Sequence, residues 1–123
     1  MAGIEIKRIY EGVAPEDGER VLVDRLWPRG VSRDRAHLDA WNKDVAPSPE
    51  LRKWFGHDPE RLHAFAARYR DELAASGAAA AFAEHCREVA AAGGRVTLLY
   101  AARDPQVNHA LVLKAWLEER LAS

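Results

Sequence analysis

The sequence predicts a single α/β domain covering residues 1–123, and two kinds of pattern lead to that fold class. Short apolar runs rich in β-forming residues occur near both ends of the chain, which is typical of strands buried inside a sheet. Amphipathic stretches with helical spacing lie between these runs and after them. A chain of 123 residues, of which 48% are hydrophobic, can bury one core without disulfides or metal ions.

Three strands are predicted. Ile4–Tyr10 alternates apolar and charged side chains, which indicates a strand with one solvated face. Val21–Val23, followed by Leu26–Trp27, is a short apolar run that fits a strand buried on both faces. Arg95–Ala101 repeats that character after an entry at Gly93-Gly94.

Three helices are predicted to begin at an N-cap residue followed by proline. The pairs are Ser48-Pro49, Asp58-Pro59 and Asp104-Pro105. Proline favours extended backbone in the residue before it, as an N-cap requires, and its missing N–H would have had no partner inside the helix. Each pair therefore predicts a helix start.

The predicted helices differ in composition. From Pro59 the apolar residues fall on one helical face for about four turns, and Ala78–Ala92 follows as an alanine-rich helix. The last helix is expected to take over near Asn108. Residues 28–47 fit least well, because structureless connections of that length are uncommon in compact domains. A short helix around Asp39–Asp44 is expected to order them.

Composition argues against several classes of protein. The net charge is -1 with 30% charged residues, which is unlike a protein that coats nucleic acid by bulk charge. Cys86 is the only cysteine, and its apolar helical surroundings favour a small buried hydrophobe over a nucleophile. The chain has no apolar signal core and no run near the roughly 18 apolar residues of a membrane span. We therefore expect a cytoplasmic protein without a membrane partner.

Motifs for common cofactors do not occur in the sequence. Neither G-x-G-x-x-G nor G-x-x-x-x-G-K-[ST] is present, which disfavours ordinary dinucleotide and P-loop chemistry. The five histidines and one cysteine lack H-x-x-x-H, C-x-x-C and H-E-x-x-H spacing, so no metal site is predicted. The sequence leaves the cofactor and the oligomeric state open.

A basic segment contrasts with the slightly negative total charge. From Arg20 to Arg35 the chain carries five arginines and two aspartates, a local net charge of +3. Guanidinium groups bind carboxylate or phosphate through paired hydrogen bonds, so we expect a small anion held by Arg25 and Arg29. The alternative is a salt bridge between Asp24 and an arginine, which would satisfy these charges without a ligand.

Two strand ends are predicted to converge on this anion. Asp24 follows the strand Val21–Val23, and Tyr100 leads through Asp104 into the last helix. Parallel α/β sheets bind ligands outside the carboxyl ends of their strands. We therefore expect a shared basic cleft, with Asp24 as an orienting carboxylate and His109 as an acid or base near neutral pH. A solvated or capping histidine is the alternative.

Further ligand contacts are predicted around this cleft, each with a structural alternative. Asp104 fits a helix cap as well as a ligand contact. His57 follows the short helix that starts at Pro49, where it either forms a pocket wall or bonds the last carbonyls of that helix. The remaining candidates for binding are Trp27, Tyr100 and Asn108.

Four blocks that span nearly the whole chain are distinctive in combination. They are Lys7–Tyr10, Asp17–Gly30, Ala46–His57 and Thr97–Ala110, and the most specific stretch is Asp-Arg-Leu-Trp-Pro-Arg-Gly at 24–30. Together they resemble the YeaO-like branch of the domain-of-unknown-function 488 family. The resemblance implies a compact, three-layer, Rossmann-like α/β fold with a small, mostly parallel sheet flanked by helices. It implies no settled reaction.

The same resemblance bears on thiol and metal chemistry. Other branches of the broader group carry a cysteine at the position of Tyr100 and a Cys-His-Arg run near residues 108–110. This chain has Asn108-His109-Ala110 there and lacks those cysteines. The resemblance therefore transfers no thiol or metal chemistry to it.

Two functional hypotheses remain open, together with a purely structural or dimerising role. The first is a small enzyme or ligand-binding protein that acts on a phosphorylated or carboxylated small molecule at the basic cleft. The alternative is a non-catalytic module that uses residues 20–35, with Trp27 or Trp41 exposed, to bind nucleic acid or a protein partner. Nucleic-acid binding weakens steeply with ionic strength, and this dependence separates the two.

Overall fold

A four-stranded parallel sheet forms the middle layer of the protein. The structure is a computed structural model that describes residues 3–122. Neighbouring strands follow the order β1-β4-β2-β3, and every pairing is parallel. The strands are β1 (Gly3–Arg8), β2 (Glu19–Leu22), β3 (Ala40–Trp41) and β4 (Arg95–Tyr100). The α/β fold class with a parallel sheet is confirmed.

Helices cover both faces of the sheet. They are α1 (Arg33–Ala36), α2 (Pro49–Phe55), α3 (Leu62–Ala74), α4 (Gly77–Ala91) and α5 (His109–Ala122). Short 3-10 helices lie at Pro15–Asp17, Lys43–Val45 and Pro59–Arg61. None of the helices within residues 3–122 combines the length and the apolar character that crossing a membrane requires.

The two faces of the sheet are buried by different elements, which gives three layers. Alternate side chains of a strand point to opposite faces. In β4, Val96 and Leu98 belong to the large core that α2 to α5 cover. Leu99 faces the other way, into a smaller cluster that contains Leu22 and Ala36 of α1. The buried character of β2 and β4 confirms the prediction from their apolar runs.

Two of the three proline-marked helix starts are confirmed, and the third is wrong. The hydroxyl of Ser48 accepts from the N–H of Leu51 and caps α2, and Asp58 starts the 3-10 turn that runs directly into α3. The chain after Asp104 forms turns instead, and α5 begins only at His109.

Asn108 explains why α5 starts late. Its amide oxygen accepts from the N–H of Leu111, as an N-cap does, and its amide nitrogen donates to the carbonyl of Asp104. The Asp104 carboxylate accepts from the N–H of Gln106 and closes a local turn. The Asp104 side chain therefore closes a turn ahead of the helix, and Asn108 caps the first turn of α5.

The helix expected at Asp39–Asp44 is replaced by a short strand and a 3-10 turn. The N–H of Asp39 donates to the carbonyl of Arg20, and the N–H of Asn42 donates to the carbonyl of Leu22. These bonds pair β3 with the exposed edge of β2, so sheet pairing prevails over the local helical preference. Only residues 43–45 take a helical turn.

The connections of β2 and β4 place a crevice between their carboxyl ends. After β2 the chain leads to α1 on one face of the sheet, whereas after β4 it leads to α5 on the other. Adjacent strands whose connections leave to opposite faces create the opening where α/β proteins bind ligands.

Candidate functional site

A cavity of about 110 Å³ opens at the carboxyl ends of β2 and β4. Its walls come from the segment after β2, from the loop before α2, from α2 and α3, and from the start of α5. The lining residues are Asp24, Arg25, Leu26, Ala46, Pro47, Arg52, Phe55, His57, Phe65, Ala102 and His109. Both predicted strand ends therefore contribute to one cavity.

Two hydrogen bonds fix the position of Asp24. Its Oδ2 accepts from the N–H of Ala101 at 3.0 Å, which ties the end of β2 to the end of β4. The indole N–H of Trp41 donates to its backbone carbonyl at 2.7 Å. Oδ1 is buried and has no hydrogen-bond partner within residues 3–122. Asp24 therefore holds a definite position while one of its oxygens lacks a donor.

His109 faces Asp24 from the first turn of α5. Its Nε2 lies 3.0 Å from the carbonyl oxygen of Val23 and 3.3 Å from Asp24 Oδ1. The ring also packs edge-on against Tyr69, with centroids 6.2 Å apart. A neutral imidazole carries one hydrogen on one of its two ring nitrogens. Because the carbonyl of Val23 can only accept, the shorter contact assigns that hydrogen to Nε2. This explains why Asp24 Oδ1 has a close neighbour without a hydrogen bond.

Burial shifts both members of the Asp24–His109 pair towards their neutral forms. It raises the pKa of Asp24 above 3.8, against the attraction of His109 and the hydrogen bond from Ala101. It lowers the pKa of His109 below 6.5, against the opposing effects of Asp24 and the Val23 carbonyl. His109 is therefore a neutral imidazole at neutral pH, with its proton held on Nε2.

Two arginines bring positive charge to the cavity. The Nε and Nη2 groups of Arg25 donate to the carbonyls of Ala46 and Pro47, which anchors the side chain but leaves Nη1 outside these bonds. Arg52 lies on α2 with an exposed side chain. It is close enough to Asp24 and His109 to affect the pKa of each group.

His57 stands at the rim between two depressions. It follows Gly56 at the end of α2 and has φ 59°, the left-handed region that side chains other than glycine rarely adopt. Its ring packs on Phe55 at 5.9 Å, and it lines both the 110 Å³ cavity and an outer depression of about 390 Å³. Asp104 and Arg103 line only the outer one, so Asp104 lies near the mouth of the site.

The other predicted contacts lie away from this cavity. Arg29 is exposed, and its carbonyl accepts from the hydroxyl of Tyr10. Trp27 packs on the opposite face of the sheet, with its indole N–H bonded to the carbonyl of Val31. Tyr100 is only 2% exposed within the large core, and Asn108 caps α5.

Sequence reasoning missed Arg52 and Phe65 as parts of the site. Arg52 and Phe55 are three residues apart on α2 and therefore share a face of that helix. Both residues belong to the distinctive block Ala46–His57. Only the packing of α2 over the end of β2 shows that this face of the helix forms a wall of the cavity. Phe65 stacks on Phe55 at 4.0 Å and closes the apolar side.

The site offers few metal ligands. In the part of the chain that the structure describes, no three His, Cys, Asp or Glu side chains gather as they would around a metal ion. Cys86 is buried in the large core on α4, where desolvation raises the pKa of its thiol to about 12.

Comparison with known proteins identifies the family. An uncharacterized protein of Mycobacterium tuberculosis, Rv3073c, is 44% identical over 119 residues, which cover 95% of each chain. The uncharacterized protein YeaO of Escherichia coli is 40% identical over 123 residues, covering 93% of this chain and 96% of YeaO. No solved structure gives a significant match. Residues 3–123 match the family described as the inactive DUF488-N3 subclade, and this match with the identity to YeaO shows that the chain belongs to that family of YeaO-like proteins.

Proposed function

We propose that the protein binds a small phosphorylated or carboxylated molecule in the cavity at the carboxyl ends of β2 and β4. The observation that carries the proposal is the convergence of Arg25, Arg52 and His57 with the Asp24–His109 pair around this one cavity. Two guanidinium groups face a single carboxylate there. The excess of donors over acceptors favours an anion.

The shape of the cavity supports a small ligand. A volume of about 110 Å³ is well below the roughly 300 Å³ at which drug-sized pockets begin. Phe55 and Phe65 make one wall apolar, and Arg25 and Arg52 bring guanidinium groups to the same cavity. A single phosphate or carboxylate group with a short carbon chain matches these dimensions.

Binding is better supported than turnover. The family description calls this subclade inactive, and a binding role requires no catalytic step. Asp24 and His109 remain the candidate acid and base if a reaction exists. In the proposed binding site, Asp24 and His109 determine which hydrogen bonds the ligand can form.

Calorimetric titration with acetate and with inorganic phosphate tests the proposal, using Arg52→Gln and Lys53→Gln as a matched pair. Both changes remove one positive charge from the exposed surface of α2, but only Arg52 lines the cavity. Arg52→Gln is expected to weaken binding about tenfold, the effect of one charge-assisted hydrogen bond. Lys53→Gln and Arg29→Gln should leave the affinity unchanged. Absence of binding at millimolar ligand, or equal losses in the Arg52 and Lys53 variants, would refute the proposal.

The alternative role in nucleic-acid or protein binding has weaker support. Arg20 is 4% exposed and bonded to Asp17, so it offers no charge to an external partner. The indole N–H groups of Trp27 and Trp41 are bonded to backbone carbonyls, and the two rings pack on each other at 5.3 Å. A steep salt dependence of single-strand or duplex binding would revive this alternative.

A further inference from the structure

The imidazole of His109 carries a hydrogen-bond acceptor, Nδ1, that has no role in the proposed binding of an anion. Nε2 of His109 points to the backbone at the end of β2, where Val23 takes its hydrogen. Nδ1, the second ring nitrogen, makes no hydrogen bond within residues 3–122, and it is not among the fully buried polar atoms. A neutral imidazole with its hydrogen on Nε2 has a free electron pair on Nδ1.

His109 lines the same cavity as Arg25 and Arg52, and a simple anion does not match this combination of an acceptor with cationic donors. The oxygens of an ionised carboxylate or of sulfate only accept hydrogen bonds. They suit Arg25 and Arg52, but they would face the electron pair of His109 Nδ1 without a hydrogen between them. A ligand that carries a hydroxyl next to its anionic group satisfies both kinds of partner, and a buried polar group left unpaired weakens binding.

We infer that His109 Nδ1 accepts a hydrogen bond from the ligand, so that the site prefers a small oxyanion with its own hydroxyl hydrogen, such as a 2-hydroxycarboxylate or hydrogen phosphate. This inference rests on the proposed anion-binding function. Asp24 acts as a positioning residue, because its carboxylate 3.3 Å from Nε2 favours the tautomer that leaves Nδ1 free.

A ligand without a hydroxyl can still bind if His109 takes up a proton. The charged and titratable groups that face the imidazole are Asp24 at the end of β2, Arg52 and His57 from α2 and its following turn, Arg25 on the cavity wall and Tyr69 on α3. Asp24 favours protonation of His109, whereas burial, His57 and Arg52 oppose it. Binding of such a ligand is therefore linked to proton uptake.

Glycolate and acetate test the inference, because they share a carboxylate and differ by one hydroxyl. At a pH close to the pKa of His109 the wild-type protein is expected to prefer glycolate roughly two- to tenfold, as one neutral hydrogen bond provides, and this preference should widen as the pH rises. Calorimetry in buffers of different protonation enthalpy should show uptake of up to one proton with acetate and none with glycolate. The affinity for acetate should fall about tenfold per pH unit above the pKa of His109, which lies below 6.5. Phosphate and sulfate form a second pair, in which hydrogen phosphate, with its hydroxyl hydrogen, is expected to bind more tightly than sulfate.

Two variants and a control assign the effect. His109→Gln should abolish both the proton uptake and the preference for glycolate, and His63→Gln, a change at an exposed histidine on α3, should alter neither. Asp24→Asn should move the midpoint of proton uptake to lower pH, because the carboxylate that favours the imidazolium is lost.

The outcomes separate this inference from the proposed function. If acetate and glycolate bind equally and without proton uptake, or if His109→Gln keeps the preference, the inference is wrong while anion binding stands. If neither ligand nor phosphate binds, the anion site itself is wrong. The proton-uptake measurement uses the wild-type chain, so the result does not depend on whether a variant folds.

Discussion

Replacing Asp17 by alanine should destabilise the protein by about 3–5 kcal/mol, the cost of leaving a buried charge without its partner. Asp17 is 6% exposed, and its carboxylate bonds Arg20 at 2.6 Å and Lys7 at 3.0 and 3.1 Å. It also accepts from the N–H of Ala14 at 3.0 Å. Arg20 is 4% exposed, so removing the carboxylate leaves its guanidinium buried with only backbone carbonyls as partners.

Urea denaturation measures this cost. At a slope of about 2 kcal/mol per molar urea, a loss of about 4 kcal/mol lowers the midpoint by about 2 M. Asp71→Ala on the exposed surface of α3 is the matched control and should change the stability by no more than about 0.5 kcal/mol. A cost below about 1 kcal/mol for Asp17→Ala would refute the reasoning, because that is the magnitude of a solvated surface pair.

The pH dependence provides a second check on Asp17. Burial alone would raise its pKa, but hydrogen bonds from Ala14, Lys7 and Arg20 together lower it below 3.8. A carboxyl group whose pKa is lower in the folded state contributes stability above its unfolded pKa, and loses that contribution as pH falls through the folded value. The difference in free energy of unfolding between wild type and Asp17→Ala should therefore be largest near neutral pH and should decrease below about pH 3.8.

Three further predictions concern single sites. Gly18→Ala should cost at least about 2 kcal/mol, because φ is +66° and an added Cβ would lie 2.3 Å from the carbonyl oxygen of Arg95; Gly12→Ala, with no atom within 4 Å, should be nearly neutral in the same urea assay. Asn108→Ala should cost about 1 kcal/mol through loss of the α5 cap, and a melting temperature equal to wild type would contradict that role. Cys86, with a thiol pKa of about 12, should resist iodoacetamide in the native protein and react after unfolding in urea, as mass spectrometry would measure. Rapid labelling of the native protein would contradict its burial.

The large elements could be predicted because their signals are local. The apolar run at Val21–Val23 and the pair Ser48-Pro49 act through neighbouring residues, and both lie where a strand end and a helix start were expected. The start of α5 could not be predicted from Asp104-Pro105. The Asp104 side chain closes a turn with the N–H of Gln106 there, and Asn108 supplies the cap of α5.

The candidate site was predictable in part. Asp24, Arg25, His57 and His109 line one cavity, as the convergence of two strand ends had suggested. Arg29 belongs to the same basic segment as Arg25, but it lies in the exposed loop beside Tyr10. Charge in the sequence therefore marked the basic segment, but the path of the loop decides which of its arginines line the cavity.

By itself, the sequence determined the α/β class and the main strands and helices, because the spacing of apolar residues indicates which face of an element is buried, whereas the three-layer arrangement was implied by the family resemblance. The tertiary structure alone decided that Asp24 Oδ1 and His109 Nε2 lie 3.3 Å apart and that the His109 hydrogen goes to Val23. The physical reason is that hydrogen bonds at the site depend on where distant backbone groups come to lie, and local sequence patterns carry no information about those distances.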